Sequence, residues 1–340
     1  MTVTLAEVGG WSGVLGRLVA GQDLGGDEAR AAVTEMLAGG ATQAQVAGFL
    51  VGLRIKGETG EEMAGMADAL LEAAEPLELP PGPDAVDTCG TGGSPSRRVW
   101  AFNVSTVAAF VVTAAGGRVC KHGNRAASST SGSADLLDAL GVAFDLGPAG
   151  VARCVGEVGM GFCFAPRFHP AMRHVGPTRR ELGVPTVFNF LGPVANPARV
   201  RRQVVGVSDP AMAERVAAVL RARGSERALV VFGHDGLDEL TTSTTSTMLD
   251  LHEGVVRTVL VDPEELGLQL ASPDAVKGGE RGPRRDIVLL NAAAGLVAAG
   301  VVEELADGLE AAAAAVDDGT AAAVVDRLVA VSREAAAEQG

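Results

Sequence analysis

Four cysteines, Cys89, Cys120, Cys154 and Cys163, are scattered through apolar contexts, and none has the C-x-x-C spacing of a zinc or dithiol site. Buried free thiols are therefore expected. An excess of positive charge is also missing: 28 Lys and Arg against 42 Asp and Glu leave a net charge of -14. Such a field repels polyanions, so nucleic acid is not an expected partner. The first basic residue is Arg17 and no apolar run follows Met1, so no secretory signal is expected. No uninterrupted apolar stretch approaches the roughly 20 residues of a membrane helix. A cytoplasmic protein with no membrane partner is the resulting expectation. Two nucleotide signatures are absent as well. The third glycine of G-x-G-x-x-G would fall at Pro95, and G-x-x-x-x-G-K-[ST] does not occur.

What is present points to a large folded core. With 340 residues, 47% hydrophobic and 21% charged, the chain is long enough for two lobes and too apolar for disorder. From Asp27 to Glu75 the pattern is helical. Val46, Phe49, Leu50 and Leu53 share one face, as do Met63, Met66, Leu70 and Leu71. Thr42-x-x-Gln45 and Thr59-x-x-Glu62 fit the capping box, in which each side chain satisfies a free N–H at the other's end. The proline-rich "PLELPPGPDAVD", residues 76–87, ends this regime and sets the lobe boundary. Beyond it the β-rich pieces "AVDTC", "GFCFAP", "QVVGV" and "ALVVFG" alternate with helical ones, the order of a mainly parallel sheet covered by helices. Ligands of such α/β sheets gather at the carboxyl ends of the strands. The Ala-rich C-terminus reads as two covering helices split at Asp317 to Thr320.

Four stretches carry chemistry. In "VDTCGTGG" a short strand runs into a loop where Gly90, Gly92 and Gly93 let backbone N–H groups turn toward an anion; a plain strand-to-helix turn explains the same glycines. Asn103, Ser105 and Thr106 stand where the next helix begins, and its free N–H groups and dipole favour phosphate. One hydroxyl suffices for a cap, and three polar side chains crowd this end. Lys121, His122, Asn124, Arg125, Ser128, Ser129 and Ser133 follow within one short segment, suited to the oxygens of a phosphorylated sugar. Residues 165–197 carry Arg167, His169, His174, Arg179 and Arg180 among prolines, where an arginine can pair with a carboxylate and either histidine can equally be a satisfied core residue. Lastly, Asp238 and Glu239 follow the strand "ALVVF", a pair suited to Mg²⁺ or, taken alone, to a solvated surface.

Taken together, "GTGG", "FNVST", "KHGNRAASSTSGSADLLDALG", "FAPRFHPAMRHVGPTRRELGVPTVFNFLGPVANP" and "DGLDELT" resemble the anthranilate phosphoribosyltransferases over nearly the full chain. The resemblance implies a small helical domain of residues 1–81, completed by a returning segment near 170–190. It implies a large α/β domain of residues 82–169 and 191–340, and homodimers through the small domain. The implied reaction moves a phosphoribosyl group from 5-phosphoribosyl 1-diphosphate (PRPP) to the amine of anthranilate, releasing pyrophosphate with Mg²⁺ bound. By position, Gly90, Thr91, Gly92, Gly93, Ser94, Asn103, Ser105, Thr106, Lys121, Ser128, Ser129 and Ser133 would bind PRPP. Gly90, His122, Asn124, His169 and Arg179 would face anthranilate, and Ser105, Asp238 and Glu239 would hold metal. No side chain serves as a covalent nucleophile, and Lys121 would support the transition state.

Two departures qualify the resemblance. Ser94 stands where such proteins usually have Asp, followed by a longer loop with Arg97, Arg98 and Trp100, and the segment between Gly279 and Arg281 is shortened. A paralogue using another aromatic acceptor, or a pyrimidine nucleoside phosphorylase, shares several of these pieces. A non-catalytic nucleic-acid-binding relative would need a local basic patch inside an acidic total.

Overall fold

A computed structural model describes residues 3–92, 102–125, 131–272 and 282–339. The N-terminal region forms four helices, α1 (Gly10–Val19), α2 (Gly26–Leu37), α3 (Gln43–Lys56) and α4 (Gly60–Glu72). Both capping boxes form. Thr42 Oγ1 accepts from the Gln45 N–H at 3.3 Å while Gln45 Oε1 accepts from the Thr42 N–H at 2.8 Å. The Thr59 and Glu62 pair does the same at 3.1 and 2.7 Å. Helix α1 lies ahead of the periodic stretch from Asp27 to Glu75, within the expected helical domain; its glycines weaken helix propensity, and burial of Val14 and Leu18 holds it.

Glu62 does more than cap. It is fully buried, and its carboxylate also accepts from the Leu24 N–H at 2.8 Å and from Lys56 Nζ at 3.0 Å. One buried charge thus ties the start of α4 to the loop before α2 and the end of α3. Its desolvation is offset only because every bond is made.

The remaining chain builds a seven-stranded sheet in the order β3-β2-β1-β4-β5-β6-β7. Its strands are β1 (Val86–Gly90), β2 (Val119–Gly123), β3 (Met160–Phe164), β4 (Arg202–Gly206), β5 (Arg227–Gly233), β6 (Ser246–His252) and β7 (Val255–Val261). Neighbours from β3 to β5 pair in parallel, as expected, while β6 and β7 add an antiparallel ribbon at one edge that the sequence reading did not identify. The parallel register sets Gly90 beside Gly206 at the strands' carboxyl ends.

Alternating side chains on each strand feed two apolar cores. Val204, Leu229 and Val231 pack under the helices Val104–Ala114, Pro283–Ala299 and the expected C-terminal pair, Leu305–Asp317 and Thr320–Gln339. Val205, Ala228 and Val230 face the other way, into a core shared with Phe49, Leu50 and Met66 of the helical bundle. Val175, Val187 and Phe188, from a segment far along the chain, are buried in that same core. Bundle and sheet are therefore joined by continuous packing. No described helix is long and apolar enough to cross a membrane.

Urea unfolding of single variants weighs these two kinds of contact. Thr42→Ala should cost about 1 kcal/mol as a lost cap, whereas Glu62→Ala should cost about 3 kcal/mol or more, because it removes a buried carboxylate from Lys56 and leaves the Leu24 and Thr59 N–H groups without their acceptor. Equal losses for the two variants would contradict the role assigned to Glu62.

Candidate active site

The carboxyl ends of β1, β2 and β4 converge on one region. Beyond β1, the Thr91 N–H donates to the Gly206 carbonyl at 2.8 Å, and Ser208 Oγ donates to the Gly92 carbonyl at 3.0 Å. The Gly92 N–H donates to Asp238 Oδ2 at 2.9 Å. Glycine is required here for space: a Cβ on Gly90 would lie 2.5 Å from Asp238 Oδ2, and one on Gly206 would overlap the Asp238 carbonyl oxygen. The glycine loop is thus pinned to β4 and to the Asp238 loop.

Asp238 and Glu239 are 1% and 3% exposed, so the solvated-surface alternative fails. Leu237, next to them, packs with Val104 and Ile287, bringing the acidic pair's loop against the first turn of helix Val104–Ala114. Asn291 fixes the other side, accepting from the Leu240 N–H at 3.1 Å and donating to the Leu240 carbonyl at 2.8 Å.

At the start of helix Val104–Ala114, Asn103 occupies the N-cap position without making a side-chain capping bond. Its Nδ2 instead donates to Ser131 Oγ at 3.0 Å, just ahead of the short helix Ser133–Ala139. Ser105 and Thr106 lie inside the first turn and do not cap it, so no side chain closes the N–H groups there. The Thr106 hydroxyl is fully buried without a hydrogen-bond partner. This end of the helix suits an anion.

Behind it lies Lys121, only 1% exposed, whose ammonium donates to the Thr88 carbonyl and, at 3.3 Å, to Ser105 Oγ. The charge therefore reaches the anion end of the helix through Ser105. Asp87, on the neighbouring strand, accepts from the His122 N–H at 3.1 Å and from Asn196 Nδ2 at 2.9 Å. Burial pushes its carboxyl up to about 6, although attraction to Lys121 and these hydrogen bonds oppose the rise. Asp87 and Asn196 were not singled out from sequence. An acid in the middle of an apolar parallel strand, "AVDTC", is the signal that marks the first.

A cleft of about 640 Å³ opens beside the glycine loop. It brings together Gly90, Thr91, His122, Asn124, His169 and Arg179. Asn103, Ser105, Thr106, Lys121, Asp238 and Glu239 are not in its lining and form the neighbouring polar region. Ser133 begins its short helix with its Cβ 3.1 Å from where a Gly123 Cβ would stand. Gly93, Ser94, Ser128 and Ser129, with Arg97, Arg98, Trp100, Gly279 and Arg281, lie outside the described residues.

Inside the cleft, the His122 and His169 rings are 5.1 Å apart. His122 Nδ1 bonds the Gly192 carbonyl at 3.1 Å, while its buried Nε2 has no hydrogen-bond partner. Burial lowers its pKa to about 3, helped by repulsion from His169 and Lys121 and opposed by the Gly192 bond. His169 bonds the Ala195 carbonyl at 3.0 Å, and burial lowers its pKa too. Both rings are neutral at physiological pH. Arg179 lies with its guanidinium 5.4 Å from the Phe188 ring and donates to Asn189 Oδ1 at 3.4 Å. Asn189, another residue not singled out, also accepts from the Thr186 N–H at 2.9 Å and so fixes the turn that faces Arg179.

Among the described residues no group of three or more His, Cys, Asp or Glu side chains is placed to hold a metal alone. Two buried carboxylates and a hydroxyl are hard oxygen donors. That set fits Mg²⁺, which completes its shell with water and substrate oxygens.

Comparison with known proteins agrees with this layout. Residues 12–74 match the helical bundle domain of a glycosyl transferase family, and residues 82–322 match that family's a/b domain. The anthranilate phosphoribosyltransferase of Rhodococcus jostii is 50% identical over 338 residues, covering 93% of this chain and 92% of the relative. A crystal structure of anthranilate phosphoribosyltransferase from Thermus thermophilus has 41% identity and a TM-score of 0.87, covering 94% of this chain and 99% of that one. The Saccharomyces cerevisiae anthranilate phosphoribosyltransferase, solved in complex with PRPP and Mg, has 26% identity and a TM-score of 0.84, covering 95% and 98%. With its sheet-end cleft and both family domains in place along one chain, the protein belongs to the anthranilate phosphoribosyltransferase family of glycosyl transferases.

Proposed function

We propose that this protein transfers the phosphoribosyl group of PRPP to the amine of anthranilate, releasing pyrophosphate, as a step of tryptophan biosynthesis. The observation that carries this reading is the meeting, at one sheet end, of a cleft containing Arg179 and two neutral histidines with an uncapped helix N-terminus backed by buried Lys121. The first part suits an aromatic amino acid and the second suits phosphate. Family members at 50% identity carry the activity in their name.

Anthranilate is recognised by its carboxylate on Arg179, with Gly90, Asn124, His122 and His169 around the ring. Its amine is neutral near pH 7 and needs no prior deprotonation. Neutral His122 and His169 put no positive charge beside the amine, and the cleft walls hold its nitrogen lone pair toward C1 of the sugar. On the PRPP side, Gly90, Thr91 and Gly92, with Gly93 and Ser94, cradle the pyrophosphate. Asn103, Ser105, Thr106 and Ser133, with Ser128 and Ser129, hold the rest of PRPP. As pyrophosphate departs, the field of Lys121 and the helix N–H groups stabilises its growing negative charge. Mg²⁺, held by Ser105, Asp238 and Glu239, would neutralise further charge on the pyrophosphate. The yeast relative's complex with PRPP and Mg supports the need for that ion.

The small helical domain is taken as residues 1–81 with the returning segment near 170–190, and the large domain as 82–169 and 191–340. Burial of Val175, Val187 and Phe188 with the bundle supports the returning segment. A homodimer through the small domain is supported by Val19 and Ile55, 88% and 82% exposed on the adjoining helices α1 and α3.

Two measurements test these roles. In a fluorescence assay of anthranilate loss, Arg179→Ala should raise the KM for anthranilate roughly 10- to 100-fold, the value of a charged hydrogen-bonded contact, and leave the KM for PRPP nearly unchanged. A wild-type enzyme that consumes no anthranilate with PRPP and Mg²⁺ present, or a variant that loses only PRPP affinity, would overturn the reading. In an NMR titration, the His122 ring signal, assigned with His122→Asn, should stay at its neutral position from roughly pH 8 down to pH 5, where an ordinary histidine protonates. A midpoint near 6.5 would contradict the burial of this ring.

A further inference from the structure

At the other end of the sheet from the catalytic cleft, where β5 begins, lies a trough of about 730 Å³. Its floor is Arg227, Asp250 and Arg257, from three successive strands, with Asp250 and Arg257 directly paired across β6 and β7. One wall is the start of helix Leu305–Asp317, whose N-cap Glu304 makes no side-chain capping bond. First-turn N–H groups of a helix have no partner within it.

The floor is chemically incomplete. Arg227 is 7% exposed; its Nη1 pairs with Glu303 at 3.1 Å and its Nη2 with Asp250 Oδ2 at 3.4 Å. Its Nε and the Asp250 Oδ1 are both buried without a hydrogen-bond partner. An unpaired donor on a cation and an unpaired acceptor on an anion, side by side, are costly in a folded protein. Arg257 is exposed and makes no ion pair among the described residues. The Glu303 side chain, 78% exposed, rests its carboxylate on Arg227 and can swing out into water.

We propose that this trough binds a free L-amino acid with an apolar side chain. The ligand carboxylate takes the place of Glu303 on Arg227, reaches Arg257 and meets the helix N–H groups at Leu305. Its ammonium sits on Asp250. Met248, Val259 and Leu266 line the same trough and receive the side chain. A simple anion fits poorly, because Asp250, Glu253, Asp262, Glu265, Glu303 and Glu304 line the same space, and a simple cation leaves Arg227 and Arg257 without a carboxylate ligand. A zwitterion satisfies both sets.

The test is calorimetric titration of the full-length protein with L-leucine and L-phenylalanine, and with 3-phenylpropanoate and 2-phenylethylamine as half-ligands. At least one amino acid should bind with a Kd near or below ~1 mM, and both half-ligands should bind at least tenfold more weakly. Arg257→Ala, an exposed substitution, should weaken binding about tenfold, while Arg179→Ala in the catalytic cleft should leave it unchanged. Absence of binding by both amino acids would mean that the trough takes no such ligand. Equal affinity in Arg257→Ala, or loss in Arg179→Ala, would place any binding elsewhere, and each of these results overturns the proposal.

Discussion

The structure turns on one buried cation. Lys121 lies almost wholly out of water, and its ammonium is held by the Thr88 carbonyl of one strand and the Ser105 hydroxyl of one helix. An ammonium removed from water must be met by acceptors and opposite charge. Asp87 supplies the charge from the adjacent strand, and it is itself fixed by His122 and Asn196. Satisfying Lys121 therefore sets the relative positions of β1, β2, the helix Val104–Ala114 and the 192–196 turn. Those are the elements that surround the candidate active site.

Two cores meet along this line. The helix that presents Ser105 packs on one face of the sheet, whereas Phe188, against which Arg179 lies, belongs to the core shared with the helical bundle. The acceptor cleft is consequently built between halves of the molecule that are welded by separate apolar packing. A polar site placed at strand ends costs little packing, because the side chains that carry stability alternate into the two cores below it. The glycines at positions 90 and 206 let the Asp238 loop lie directly on those ends.

Much of this was legible in the residues. The capping boxes at Thr42 and Thr59 are local, with donor and acceptor three residues apart, so the sequence states them fully. The parallel strands and the C-terminal helices follow from periodicity. Lys121, His122, Asn124 and the Asp238 and Glu239 pair stood out because polar residues at strand exits have few structural reasons to cluster. Asp87 with Asn196, and Arg179 with Asn189, were less accessible. The first pair spans 109 positions, and nothing local announces such a partner. The edge ribbon of β6 and β7 escaped notice for a related reason, since its hairpin turn at Glu253 and Gly254 lacks the usual Asn-Gly signal and uses a glutamate at φ 50°. The trough on that ribbon exists only once the strands are paired.

The most direct measurement of the account is pyrophosphate release from PRPP in the presence of anthranilate and Mg²⁺, compared between the wild type and Lys121→Met, with circular dichroism to show that the variant is folded. The account predicts one pyrophosphate per anthranilate consumed by the wild type and a rate about 100-fold lower in the folded variant, the usual loss when a stabilising group for developing charge is removed. A folded Lys121→Met protein that turns over at the wild-type rate would contradict it.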